Sequence, residues 1–95
     1  MYRIIFSTYV NTTGQESTEA ELLDYLNKLS KRNGVEGYTL RTAIGYWAGV
    51  NERSFELDLI EVDESLAQKL AGTIKKHFKQ DAVILQPVQL NSIFI

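Results

Sequence analysis

Six residues able to recognise a ligand fall within fourteen positions of this chain: Arg41, Tyr46, Trp47, Glu52, Arg53 and Ser54, in "RTAIGYWAGVNERS". An indole and a guanidinium held close together can stack on and ion-pair with a planar anionic ligand such as a nucleotide. The plainer alternative is that Trp47 packs on its neighbours while Arg53 pairs with Glu52 or Glu56, so that the group merely clips a turn together. Both readings put these residues at the tip of a β-hairpin.

Other residues offer less. His77 is the single histidine, the residue type most often used as a general base. It stands among Lys75, Lys76 and Lys79 at what reads as a helix C-terminus, where an imidazole simply complements the helix dipole. Glu56 and Asp58 lie two apart on one strand and could hold Mg²⁺ or exchange protons, although such a pair is more often a solvated strand face. One histidine and no cysteine cannot supply the roughly four N/S ligands of a structural zinc site. "TTGQES" lacks the glycine and lysine spacing of a phosphate loop, and Ser54 in "ERSFE" lacks the glycines of a nucleophile elbow. No catalytic set, metal site or cofactor site is therefore assigned, and the residues favour a binding protein over an enzyme.

Whatever site exists must be positioned by a small scaffold. Residues 2–10, "YRIIFSTYV", alternate in the manner of a strand. After the turn-type run "NTTGQES", Thr18 and Glu21 have capping-box spacing, and Leu22, Leu23, Leu26 and Leu29 recur at helical intervals over 19–32. Gly34 suits a left-handed helix end. Residues 38–47 form a second strand, "AGVNER" a turn, and residues 54–62 a third strand. Asp63 caps a second helix over 64–78, with Leu66, Ala67, Leu70, Ala71, Ile74 and Phe78 as its apolar stripe. Residues 81–88 make a fourth strand, interrupted by Pro87 as an edge strand tolerates, and residues 89–95 a short extra strand or arm. The order β-α-β-β-α-β predicts an α+β, ferredoxin-like two-layer sandwich with an antiparallel sheet, as one domain over residues 1–95.

In such a sandwich one sheet face is bare. One assignment of that face carries Arg3, Ile5, Ser7 and Tyr9 with Arg41, Trp47, Glu56, Asp58 and Ile60, a mixture that suits a subunit interface or a ligand surface. Both faces are partly apolar, so the pattern leaves open which one the helices cover. Together with the apolar end "SIFI", this predicts a homo-oligomer, dimer or higher.

The net charge of −2 and the acidic run "FELDLIEVDE" count against nucleic acid as a partner, despite the basic "KKHFK". No apolar run reaches the ~18–20 residues of a membrane span, and the N-terminus alternates instead of reading as a signal peptide, so a cytoplasmic location is expected.

The stretch from Thr39 to Ile84 resembles an uncharacterised group of small bacterial and phage-type proteins. In that group Gly-x-Trp is followed, after a short turn, by Glu-Arg-Ser and an apolar strand; the counterparts here are Gly45, Trp47, Glu52, Arg53 and Ser54, with Phe78, Gln80 and Val83 echoing a later "F-x-Q-x-x-V". The resemblance implies a ferredoxin-like fold and supplies no activity. Three functions are compatible with these features. The first is a small oligomeric module that senses or sequesters a polar, anionic or nucleotide-like ligand. The second is a protein-interaction or inhibitor module, phage-encoded in one version, that caps a partner through its open sheet face. The third is a cofactor-free enzyme of the dimeric α+β barrel type.

Overall fold

A computed structural model describes residues 1–10 and 12–89, the side chain of Trp47 excepted. In chain order the elements are β1 (Tyr2–Phe6), α1 (Glu19–Arg32), β2 (Gly37–Trp47), β3 (Val50–Ile60), α2 (Glu64–His77) and β4 (Ile84–Pro87). The four strands form one antiparallel sheet in the order β2-β3-β1-β4, so β1 and β3 lie in its centre. This is the expected ferredoxin-like arrangement. The proposed extra strand over 89–95 falls almost wholly outside the described residues.

Alternation determines which sheet face carries the helices. Ile4 and Phe6 of β1 stand opposite Leu57 and Phe55 of β3, and these residues are buried together with Leu59. Against them pack Leu22, Leu26 and Leu29 of α1 and Ala67, Leu70, Ala71 and Ile74 of α2. Phe6 is the hub of the core, its ring 5.7 Å from that of Phe55 and 5.8 Å from that of Phe78. The other face carries Arg3, Ile5, Arg41, Glu56, Asp58, Ile84 and Gln86 in register, so the assignment of Arg3, Ile5, Arg41, Glu56 and Asp58 to the bare face holds.

Both helix starts follow the cap chemistry legible in the chain. The Thr18 hydroxyl accepts from the Glu21 N–H while a Glu21 carboxylate oxygen accepts from the Thr18 N–H, each at 3.2 Å. Asp63 accepts from the Leu66 N–H at 2.8 Å. At the end of α1, Gly34 takes φ +69° and the Val35 N–H reaches back to the Ser30 carbonyl, as a left-handed helix stop requires. Thr18→Ala removes the reciprocal cap and is expected to cost about 1 kcal/mol, which thermal unfolding reads as a fall of about 4–8 °C in Tm for a domain of this size.

The hairpin departs from expectation. The turn is not the six residues "AGVNER" but only Ala48 and Gly49, with φ +50° and +84°. Positive φ at both central residues is the two-residue hairpin turn whose twist matches that of the strands. Residues 50–53 consequently continue β3, with Val50 opposite Trp47 and Arg53 opposite Ile44. Because β1 begins its pairing with β3 only at Phe6 and Phe55, the last turns of this ribbon run on beyond the sheet as a two-stranded arm. The arm leaves Ile44, Tyr46 and Val50 largely exposed.

Candidate functional site

Each of the six hairpin residues has a separate fate. Arg41 belongs to an ion cluster on the bare sheet face. Tyr46 is 74% exposed on the arm, and Ser54 is half-buried opposite Ala43. Trp47 pairs through its backbone with Val50, three rungs beyond the Arg53–Ile44 pair. Only Glu52 and Arg53 meet in a cavity.

That cavity forms where β1 stops. Past Phe6 the chain leaves the sheet, and the edge of β3 from Val50 to Ser54 has no strand partner on the β1 side in the described register. A groove of about 360 Å³ lies there, lined by Ser7, Tyr9, Glu16, Val50, Asn51, Glu52, Arg53 and Gln80. Its walls are pinned from three segments. The Gln80 amide donates to the carbonyls of Tyr9 at 2.8 Å and Phe78 at 2.9 Å, tying the exit of β1 to the end of α2. The loop after β1 closes on itself through Val10 N–H to Gln15 at 2.8 Å and Gly14 N–H to Val10 at 2.7 Å, which presents Glu16.

Arg53 joins loop to strand, since its Nη2 donates to Glu16 Oε1 at 2.6 Å and its guanidinium lies 5.3 Å from the centroid of the Phe55 ring. The pairing with Glu52 or Glu56 weighed from the sequence is therefore replaced by Glu16, thirty-seven positions upstream. Arg53 clips the β1–α1 loop onto β3, not the turn onto itself.

The groove thus offers a tyrosine and a valine as apolar walls, two carboxylates, an asparagine amide and an open strand edge of N–H and C=O groups. Concave sites of ~300–1,000 Å³ with a few convergent polar groups are typical of small-molecule binding. In the sequence Ser7 and Tyr9 stand out only as part of a bare sheet face, and Glu16 and Gln80 carry no site signal. The topology points to them, because the β1–α1, β2–β3 and α2–β4 connections share one end of a ferredoxin-like sheet.

The carboxylate pair Glu56 and Asp58 has a different function from either one anticipated. Asp58, on the central strand, is only 4% exposed although it lies on the bare face. Arg3, directly across on β1, donates to it through Nε at 2.7 Å and Nη2 at 3.2 Å, and Arg41, diagonal on β2, donates through Nη2. Glu56 lies 3.9 Å from Arg3 and 3.7 Å from Arg41. The hydrogen bonds from Arg3, aided by those from Arg41, hold the Asp58 carboxyl below its usual range, against the opposing effect of burial. Both carboxylates are consumed by arginines, so neither solvation nor proton transfer describes them.

A lowered native pKa means that this contribution is complete above the unfolded value of about 3.9 and is lost as the pH falls through the native one. Asp58→Asn should cost about 2 kcal/mol near neutrality, since two arginines lose their shared acceptor. Denaturant titrations at pH 7 and pH 3 should show the gap between native and variant proteins shrinking at the lower pH.

His77 lies flat on Tyr25, ring centroids 3.8 Å apart and planes 9° apart, at the exposed end of α2. It serves there as a stacked helix terminus. Among the described residues no group of three or more His, Asp or Glu is placed to hold a metal, and no helix is long and apolar enough to cross a membrane.

No protein-family model matches the chain, and no curated protein is similar to it in sequence. Its backbone is similar to that of a phage SAM lyase solved without ligand, with a TM-score of 0.72 and 21% identity over 88% of this chain and 74% of the other. The same fold recurs in a phage SAM lyase in complex with S-methyl-5'-thioadenosine, with a TM-score of 0.61 and 19% identity over 88% of this chain and 75% of the other.

Proposed function

We propose that this chain is a small phage-type protein that binds an adenosyl sulfur compound of the S-adenosylmethionine class in the groove at the hairpin end of its sheet, and cleaves it. One observation carries the reading. A nucleoside-sized groove with two carboxylates sits in a backbone similar to one solved with a thioadenosine bound. The nucleotide-like ligand anticipated from the hairpin residues becomes, on this reading, a sulfonium nucleoside.

The chemistry of such a ligand fits what lines the groove. An adenine ring needs flat apolar cover and partners for its polar edge; Tyr9, Val50, the Asn51 amide and the unpaired edge of β3 supply them. Ribose hydroxyls donate to carboxylates, and a sulfonium is a cation that gains from negative charge nearby. Glu16 and Glu52 serve both needs, and Arg53 keeps Glu16 in place. Cleavage breaks the bond between sulfur and the γ-carbon of the amino-acid chain: the ligand's own carboxylate oxygen attacks that carbon, the bonding pair returns to sulfur, and the products are the thioadenosine and a lactone. The positive charge disappears along that path, so the carboxylates favour the bound substrate more than the transition state. Their contribution is binding and orientation.

The exposed arm supports an oligomer. A two-stranded ribbon is marginal alone, and Ile44 and Tyr46 form an uncovered apolar strip on one face of it, with Val50 exposed on the other. A second copy seated there would bury the surface and close the groove against water.

Ligand binding is tested by thermal unfolding with S-methyl-5'-thioadenosine. At about 100 Kd a ligand adds about 2.7 kcal/mol, a rise in Tm of about 10–20 °C. An unchanged Tm at millimolar ligand would count against the groove as a nucleoside site.

A further inference from the structure

A second cavity, of about 440 Å³, lies on the other side of Glu16, between the N-terminus of α1 and the C-terminal end of α2. Its lining is dipolar. Glu16 and Glu21 bring negative charge, and Lys79 brings positive charge beside His77. Glu21 spends one oxygen on the α1 cap and keeps the other. Lys79 makes no ion pair among the described residues, while its backbone takes φ +52°.

Thr8 lines the same cavity from β1's exit. It is 2% exposed, and its hydroxyl has no hydrogen-bond partner. A buried hydroxyl left unpaired costs about 1–3 kcal/mol, and native structures leave such groups unpaired where a ligand or water completes them. The hydroxyl and the two signs of charge converge on one space that shares a wall with the nucleoside groove.

From this arrangement we infer that the second cavity is the subsite for the α-amino-acid end of the ligand, whose carboxylate meets Lys79 and Thr8 and whose ammonium meets Glu21 and Glu16. The inference rests on the groove being the nucleoside site. S-methyl-5'-thioadenosine fills the groove alone, whereas S-adenosylmethionine and S-adenosylhomocysteine span the Glu16 wall and fill both chambers. A zwitterion suits this lining better than a simple anion, which the two carboxylates would repel, or a simple cation, which Lys79 would repel.

The experiment is calorimetric titration of the full chain with S-adenosylhomocysteine, which is not a sulfonium, and with S-methyl-5'-thioadenosine. The variants are Lys79→Gly and Thr8→Val. Glycine accepts the positive φ that lysine holds at that position, and valine keeps the shape of threonine while removing the unpaired hydroxyl, so neither variant should lower the thermal midpoint.

The native protein should bind S-adenosylhomocysteine at least tenfold more tightly than the thioadenosine. Each variant should lose most of that advantage with its affinity for the thioadenosine unchanged. Equal affinity of the native protein for the two ligands, or variants that weaken both ligands alike, would overturn the subsite while leaving the nucleoside groove standing. If the native protein binds neither, both readings fall together.

Discussion

Phe6→Ala lowers the midpoint of thermal unfolding by about 12–40 °C and abolishes nucleoside binding in the fraction that remains folded. Phe6 is 2% exposed and holds the rings of Phe55 and Phe78 on either side. Truncating a buried phenylalanine costs about 3–5 kcal/mol, because a cavity replaces contacts on every side, and each kcal/mol moves Tm by about 4–8 °C at this size. The same two neighbours build the groove. Phe55 lies under the guanidinium of Arg53, and the carbonyl of Phe78 receives Gln80. Stability and binding therefore fall through one residue that touches no ligand. Differential scanning calorimetry and ligand titration of the variant check the two effects separately.

Glu52→Gln is expected to raise KM for S-adenosylmethionine about tenfold and to raise kcat with it, so that kcat/KM changes by less than about threefold. The carboxylate lines the groove and makes no ion pair among the described residues, so its charge is available to a ligand. At 4 Å a pair of opposite charges is worth about 1 kcal/mol in water and about 4 kcal/mol at an effective dielectric near 20; an open groove lies near the lower end, and 1.4 kcal/mol is tenfold. Because the sulfonium charge vanishes as the bond breaks, the lost attraction weakens the bound substrate more than the transition state, and the barrier from the complex falls. Steady-state kinetics separate the two, and a kcat that fell by a hundredfold with KM unchanged would show Glu52 taking part in the chemistry instead.

Much of the scaffold was legible because its strands alternate and its helices carry their own caps. Thr18 with Glu21, and Gly34 after the basic turn of α1, sit where the chain's spacing puts them. The start of β3 was not legible. "VNER" is polar and looks like a turn, yet these residues stay extended because Ala48 and Gly49 complete the reversal in two residues, and nothing in an alanine advertises a positive φ.

The site was legible only in half. Glu52 and Arg53 announce themselves by clustering, but their partners come from the exit of β1, the loop before α1 and the end of α2. Arg53 selects Glu16 over its sequence neighbours because the loop delivers that carboxylate to the helix-covered side of the sheet, where Arg53 lies with Phe55. Asp58 likewise takes a partner fifty-five positions away, since β1 and β3 are neighbours only in the folded sheet. Pairings of that kind depend on register, and register is a property of the assembled sheet.

The most direct measurement is to incubate the purified chain with S-adenosylmethionine and follow the mixture by liquid chromatography and mass spectrometry. S-methyl-5'-thioadenosine should accumulate in proportion to protein, and Glu52→Gln should move half-saturation to about tenfold higher substrate without abolishing the product. S-adenosylmethionine that stays intact at every protein concentration, with no thioadenosine above the rate in buffer, would contradict cleavage by this protein.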